Sequence, residues 1–241
     1  MRPSNSCAVD PSFMRRVHSD EFYARVRKYG GWQTVGAARI CEIFEELITP
    51  EFPGFNPIKP RLFARPVDRD ITLLVELQAL KGASYEFKWG VSLAYVPHRW
   101  EKGLRWHRSI SAATFDLWEH CPDLEMLRDS PPGAFTAFTM LGERCFRDEL
   151  RIAFDTAGPA IKARFASLTD LDGVRRMAHG QASLYHHFPP PELVFAFTQA
   201  RVGDADEAEQ TLRALGRRYD LRDPKGNLAA ALRQVSTNAQ R

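Results

Sequence analysis

The chain has 241 residues, 44% of them hydrophobic and 26% charged, and a formal net charge of +3. This is the composition of an ordinary globular protein, and a chain of this length holds a core without disulfides or a structural metal. Its longest apolar run, residues 71–80, is interrupted by Glu76 and Gln78. Its N-terminal residues lack the apolar centre of a secretory signal, so we expect a soluble cytoplasmic protein without a membrane span.

The cysteines are far apart in the sequence and include no Cys-x-x-Cys pair. This spacing is typical of buried thiols in a reducing compartment and does not match a zinc ribbon or a thioredoxin-type motif. The sequence also lacks a Gly-rich phosphate loop and paired metal-ligand spacings, so we expect no cofactor and no metal. The four cysteines are Cys7, Cys41, Cys121 and Cys145.

The chain begins with a basic N-terminal arm, residues 1–30. This arm carries six basic and three acidic side chains, which accounts for the whole net charge of +3. A basic arm in front of a neutral body can contact nucleic acid or acidic lipid, although a solvated terminus is the simpler explanation. The arm is therefore the segment through which nucleic acid could bind.

Residues 31–168 are predicted to form an α+β core domain that begins with a helix. Apolar residues recur at three- and four-residue steps over residues 34–48, which is typical of an amphipathic helix. Thr34 is a suitable N-cap, and Pro50 is expected to end the helix.

Three strands of an antiparallel meander are predicted to follow this helix. Residues 61–65 are flanked by prolines and are expected to form an edge strand. Residues 70–80 and 85–96 alternate apolar and polar side chains, as strands with one buried face do.

The alternation also predicts the register between the two long strands. Both apolar sets occupy odd positions, so opposed residues that share a face must have an even index sum. A five-residue loop satisfies this rule. It places Ala79 opposite Tyr85 and Glu76 opposite Lys88, which is a favourable cross-strand charge pair. A three-residue loop containing Gly82 also satisfies parity, with different partners.

The second half of the chain is predicted to be mainly helical. A third long strand is expected over residues 104–112, after a loop at 97–103, and then a short helix over 114–121. Gly158-Pro159 is expected to break the next helix. Residues 169–241 form a C-terminal helical segment packed on the core. The predicted helices cover residues 141–157, 160–168, 170–179, 192–202, 206–218 and 227–235.

Two segments resemble known families. Between about residues 40 and 98 a helix leads into a Gly-Phe loop, then strands that carry an arginine, a glutamine and a glycine before a proline. This order resembles a family of uncharacterised bacterial domains of unknown function and implies no activity. Residues 193–215 look like one tetratricopeptide-type helical hairpin, which cannot bury its face alone and is expected to pack on the sheet. The residues that carry the first resemblance are Gly54, Phe55, Arg65, Gln78, Gly90 and Pro97.

Candidate ligand-binding residues gather on the polar face of the predicted sheet and at its rim. Strand alternation over residues 104–112 places Arg105 and His107 on one face, beside the polar residues of the neighbouring strands. His98 belongs to the preceding loop, where ligand contacts are favoured by position. The ligand-binding candidates are Arg65, Gln78, Lys88, Arg99, Trp100, Arg105 and His107.

A catalytic interpretation of this face is also possible. Glu76 and His107 could exchange a proton as a general acid–base pair, with His98 as a third group of a hydrolase-type site. A cross-strand polar pair on a solvated face explains the same residues more simply. A metal site at these three residues is not expected.

No motif spacing fixes a set of catalytic groups, whereas polar and helical surfaces are extensive. The sequence therefore favours a non-catalytic cytoplasmic binding or adaptor protein, accessory to a larger bacterial system, whose partner is another protein. The first alternative is a nucleic-acid-binding protein that uses residues 1–30 and the Arg- and Trp-rich loop. The second alternative is the hydrolase-type enzyme centred on Glu76 and His107.

Overall fold

The computed structural model describes residues 24, 26–80, 83–99, 105–106, 109–120, 136–182, 189–219 and 226–239. Most of the basic arm lies outside the described residues. So do the candidates Trp100 and His107, the cysteines Cys7 and Cys121, and residues 104 and 107–108 of the strand predicted at 104–112.

A helix leads into a run of strands, and helices then follow to the end of the described chain. The first helix is α1 (Ala37–Glu51), followed by β1 (Asn56–Lys59), β2 (Leu62–Pro66), β3 (Ile71–Leu80) and β4 (Ser84–Leu93). Next come β5 (Pro97–Arg99), β6 (Arg105–Trp106), a 3₁₀ helix (Ile110–Ala112), β7 (Leu117–His120) and β8 (Thr136–Phe138). The later helices are α2 (Gly142–Ser167), α3 (Leu171–Gln181), α4 (Pro191–Val202), α5 (Ala205–Tyr219) and α6 (Asn227–Ala239). This architecture confirms the predicted α+β class and the helical second half.

The main sheet is antiparallel, in the order β1-β2-β3-β4-β7, and β8 also pairs with β4. Strands β7 and β8 pair with different parts of β4, so they lie one after the other along the same side of that strand. Strands β5 and β6 form a separate two-stranded ladder.

The register of β3 and β4 is the one predicted from parity. Ala79 lies opposite Tyr85, and Glu76 lies opposite Lys88. The ladder extends one pair further than predicted, because Leu80 and Ser84, the two end residues of the expected five-residue loop, also lie opposite each other. The prediction succeeds because a shift by one residue would turn every apolar side chain of either strand away from the core.

The core lies on the face that carries the odd-numbered residues of β3 and β4. Helices α1 and α2 pack on this face through aromatic side chains. The ring of Phe44 meets that of Phe63 edge-on at 5.4 Å, and Phe154 lies 5.6 Å from Phe87. The same hydrophobic cluster continues into the C-terminal helices. Aromatic pairs in this geometry add stability beyond their buried area.

Helix α4 lies at the centre of the helical half. It contacts α3, α5 and α6, and most of its residues are buried. Gly203 ends it with a φ of 101°, a left-handed conformation that glycine adopts without strain. Arg201 ties α4 to the sheet through Asp70, with nitrogen–oxygen distances of 2.7 and 2.9 Å. No helix among the described residues is long and apolar enough to cross a bilayer.

Three predictions for helices need correction. Helix α1 begins three residues after Thr34, with Gly36 as its N-cap, and includes Pro50. The predicted break at Gly158-Pro159 is wrong, because α2 runs through both residues. Pro159 is exposed, so its ring lies in solvent, while the buried residues Ile161 and Phe165 hold the following turns on the core. Gly158 is buried close to the Phe154 ring.

The strand predictions also need correction. Residues 61–65 are not an edge strand, because β1 pairs on the outer side of β2. In the described part of residues 104–112, only Arg105–Trp106 is a strand, and Ile110–Ala112 is a 3₁₀ helix. The helix predicted over residues 114–121 is instead β7, which pairs with β4. Pairing with a distant strand outweighs the weak local preference of so short a segment.

Candidate binding site on the polar face of the sheet

Five polar side chains form two neighbouring rows on the face of the sheet opposite the main core. One row places Glu76 of β3 opposite Lys88 of β4, and Lys88 opposite His120 of β7. The next row places Gln78 opposite Glu86. Directly opposed residues have Cβ atoms about 4.5–5.5 Å apart, so the five side chains form one group. We call them the polar-face cluster.

The Lys88 ammonium is held against two aromatic rings. Its Nζ lies 4.3 Å from the centroid of the Trp118 ring and 4.5 Å from that of Phe115. Burial lowers the pKa of Lys88, and the nearby carboxylates of Glu76 and Glu86 partly oppose this shift. Cation–π contacts stabilise the charged ammonium, so Lys88 fixes the positions of both rings on this face.

Glu86 is nearly buried and faces His120. The residue is 8% exposed, and its Oε1 lies 3.3 Å from Nδ1 of His120. The imidazole in turn packs on Trp118, with ring centroids 5.1 Å apart. The Trp118 carbonyl accepts a hydrogen bond of 3.1 Å from the side chain of Gln181 in α3. The carboxylate and the two rings therefore form a supported, partly buried surface.

Gln78 contributes an acceptor that is buried and unsatisfied. Its Oε1 has almost no accessible area and no hydrogen-bond partner among the residues that the structure describes. More than nine-tenths of buried polar groups in proteins are paired, and leaving one unpaired costs about 1–3 kcal/mol. The burial of this oxygen therefore lowers the stability of the sheet, and the enclosed atom is not a contact point for a partner.

A small apolar cluster adjoins the polar-face cluster on the same side of the sheet. It combines residues of β2 and β3 with Ala113 and Phe115 from the segment before β7. Lys59 holds this segment by donating to the Ala113 carbonyl at 3.2 Å. On this side of the sheet, the segment before β7 covers the apolar part. Phe115 and Trp118 lie at the border between this part and the polar-face cluster. The buried residues of this second cluster are Leu62, Ala64, Leu74 and Ala113.

Strand β7, which carries Trp118 and His120, is fixed from the core side as well. Its Glu119 accepts two hydrogen bonds from Arg164 of α2, at 3.0 and 2.5 Å. The same carboxylate accepts the indole N–H of Trp89 at 3.0 Å. A bidentate Arg–carboxylate pair of this kind is both strong and directional, so the positions of the residues on β7 are defined on both faces.

The structure brings some of the sequence-predicted site residues together and separates others. Gln78 and Lys88 lie in the polar-face cluster with Glu76. Arg65 lies opposite Leu73 and therefore on the other face, with its guanidinium 5.2 Å from the Phe55 ring centroid.

The remaining candidates belong to the β5–β6 ladder or lie outside the described residues. Arg105 is exposed on β6, and it pairs with Arg99 of β5 rather than with the main sheet. The prediction that Arg105 lies on the polar face of the main sheet is therefore wrong. His98 also belongs to β5, while Trp100 and His107 are not described.

Sequence reasoning missed Trp118 and His120 as site residues, because their segment was assigned to a helix. In the structure Leu117 and Glu119 face the core while Trp118 and His120 face outward, but four residues are too few to show this alternation as a period in the sequence. Phe115 was missed for the same reason. Glu86 occupies an even position in the strand predicted over residues 85–96, so alternation places it on the polar face, but its near-complete burial does not follow from the pattern.

Comparisons of the chain with protein-family models, with curated proteins and with solved structures find no match. The resemblances described for residues 40–98 and 193–215 therefore stay predictions. Within the described part of the chain, no group of three or more His, Cys, Asp or Glu side chains is placed to hold a metal ion. Function is inferred from the chemistry of the polar-face cluster alone.

Proposed function

We propose that the protein is a non-catalytic cytoplasmic binding or adaptor protein that recognises another protein through the polar-face cluster, as an accessory to a larger bacterial system. The observation that carries this proposal is the ring of Trp118, which Lys88 and His120 hold on the polar face and which keeps part of its surface exposed. Partly exposed aromatic rings are enriched at the surfaces through which proteins bind each other.

The aromatic border of the cluster supports a protein partner. Trp118 is half-buried and its ring lies on the polar face, beside His120 and Lys88. Aromatic side chains that are already fixed in place lose little conformational entropy on binding, and tryptophan is enriched among the residues that dominate binding energy. A rigid, partly exposed tryptophan among charged and polar side chains is the arrangement expected at an interface.

Quantitative affinity capture from an extract of the native cell tests this proposal. Wild-type protein is compared with Trp118→Ala, and each capture is repeated after nuclease treatment. The matched control is Trp32→Ala, since Trp32 is another surface tryptophan, with 56% of its area exposed. We expect a protein that is retained after nuclease treatment, lost with Trp118→Ala and kept with Trp32→Ala.

Two outcomes would count against the proposal. If wild type and Trp118→Ala capture the same proteins in the same amounts, the polar face is not the recognition surface. If every captured protein disappears after nuclease treatment, nucleic acid mediates the binding and the alternative through residues 1–30 is favoured. Circular dichroism spectra of both variants show whether they keep the wild-type fold.

A further inference from the structure

We propose that the contact between His120 and Glu86 is a pH-sensitive device that strengthens as pH falls and fixes β7, and with it Trp118, on the polar face. This inference rests on the proposed function, because Trp118 is the residue through which the partner is recognised, and it adds the regulation of that surface. It is carried by the position of the imidazole between a nearly buried carboxylate and the Trp118 ring.

The imidazole of His120 lies within ion-pair distance of a carboxylate that is mostly shielded from water. Its Nδ1 lies 3.3 Å from Oε1 of Glu86, and Glu86 is 8% exposed. The Nδ1 atom is itself buried and has no hydrogen-bond partner among the residues that the structure describes. Protonation makes both ring nitrogens donors, so Nδ1 then faces the carboxylate as a charged donor.

The ring can exchange protons with water although its Nδ1 atom is enclosed, because 40% of the His120 side chain is exposed. Histidine side chains change charge between about pH 5 and 8. An imidazolium attracts a partly buried carboxylate more strongly than it attracts one in water. The stabilisation is therefore present on the acid side of the histidine range and is lost as pH rises through it.

The other charged groups around His120 oppose this effect only in part. Lys88 lies directly opposite His120 on β4, and its ammonium repels an imidazolium. That ammonium is held against two aromatic rings and interacts with the carboxylates of Glu76 and Glu86. From α3, the side chain that reaches β7 is the uncharged Gln181. The close carboxylate of Glu86 therefore determines the sign of the effect.

The short strand β7 connects this contact to Trp118. It is four residues long, and His120 is its last residue. The His120 ring packs on the Trp118 ring, with centroids 5.1 Å apart. A stronger contact at the end of so short a strand restricts Trp118, and a side chain that is already fixed loses less entropy on binding. Recognition of a partner through Trp118 should therefore strengthen as pH falls.

A double-mutant cycle on the full-length protein, measured at pH 6 and at pH 8, tests the inference. Wild type, Glu86→Gln, His120→Gln and the double variant are unfolded in urea at both pH values. The cycle isolates the interaction between the two changed side chains, so the pH dependence of the other histidines cancels. We expect this interaction to favour the folded state about fivefold more at pH 6 than at pH 8.

Hydrogen exchange gives a second, local measurement. Protection factors of the β7 amides, corrected for the chemical pH dependence of exchange, should rise from pH 8 to pH 6 in wild type, and this rise should be lost in His120→Gln. The matched control is His179→Gln in α3. His179 is exposed and also packs on an aromatic ring, 5.6 Å from Phe195, and its replacement should leave the rise unchanged.

Protein capture at the two pH values tests the regulation. Capture through Trp118 should be greater at pH 6 than at pH 8 with wild type and with His179→Gln, and equal at both with His120→Gln. Equal capture by wild type at the two pH values would overturn the regulation of this surface.

The results distinguish this inference from the proposed function. If the interaction in the cycle is the same at pH 6 and pH 8, or protection of β7 rises equally with and without His120, the pH-sensitive contact is refuted. In that case a loss of protein capture by Trp118→Ala would still support the proposed function. If the interaction grows at pH 6 but the captured proteins do not depend on Trp118, the contact stands and the adaptor function fails.

Discussion

Replacing Gly90 with alanine should destabilise the protein, because β7 lies directly against the backbone of β4 at this position. An ideal Cβ built on Gly90 would overlap the carbonyl oxygen of Leu117. It would also lie 2.7 Å from Cα of Trp118 and 2.9 Å from the Leu117 carbonyl carbon. All three are backbone atoms, so no side-chain rotation relieves the overlap and β7 must move away.

The size of the effect follows from what β7 contacts. Inserting a methyl group into a packed site costs about 1–3 kcal/mol. Moving β7 also stretches a ladder that pairs with β4 at four positions, and each weakened hydrogen bond costs about 0.5–1.5 kcal/mol. We therefore expect Gly90→Ala to lower the free energy of unfolding by about 2–4 kcal/mol.

Urea denaturation followed by circular dichroism measures this change as a lower midpoint. The matched control is Gly180→Ala in α3, where the added Cβ would have no atom within 4 Å. Alanine is favoured over glycine inside a helix by up to about 1 kcal/mol. The same substitution should thus destabilise at one position and be neutral or stabilising at the other.

The reasoning would be refuted if Gly90→Ala unfolded at the wild-type urea concentration. It would also fail if both variants shifted the midpoint equally in the same direction. Either result would mean that β7 does not approach β4 as closely as the structure describes, and the placement of Trp118 and His120 on the polar face would fail with it.

Three further changes test the buried polar groups and the surface ion pairs. Burial raises the pKa of Asp116, so the folded state loses stability as pH rises above the ordinary carboxyl range. Asp116→Asn should remove this loss, and urea midpoints compared between pH 4 and pH 8 measure it. Tyr95→Phe removes the 3.1 Å hydrogen bond to Thr198 and should lower the free energy of unfolding by about 0.5–1.5 kcal/mol, read from the same midpoints. Hydrogen bonds from arginines including Arg39 lower the pKa of Glu143 to about 2, so its contribution is present at neutral pH and is lost as pH falls toward 2. Glu143→Gln should therefore be slightly less stable than wild type at neutral pH and low salt, and equally stable in molar salt or at the acid limit, as thermal unfolding curves would show.

The local sequence pattern was sufficient to predict strands β3 and β4, their register and the face that they turn to the core. Their apolar residues occupy odd positions, and the period of a strand is two, so the alternation defined the core face and the register together. The same alternation places the polar residues on the other face, namely Glu76, Gln78, Glu86 and Lys88. These residues are four of the five members of the polar-face cluster, and the printed sequence is enough to find them.

The local sequence pattern was not sufficient to predict the strand β7 or the full length of helix α2. Residues 117–120 are too few to show a period, and only the pairing with β4 makes them a strand. Pro159 would end an isolated helix, but the packing of Phe165 and its neighbours on the core holds α2 together beyond it.

The sequence by itself determined which residues could lie on one polar face, because alternation is a property of neighbouring residues along the chain. Only the tertiary structure decided that Trp118 and His120 complete this face and that Arg65 lies on the opposite face of the sheet. Those positions depend on which strands pair and on what packs over them, and these are contacts between residues far apart in sequence. Burial of Glu86 and of the Gln78 oxygen depends on the same long-range contacts.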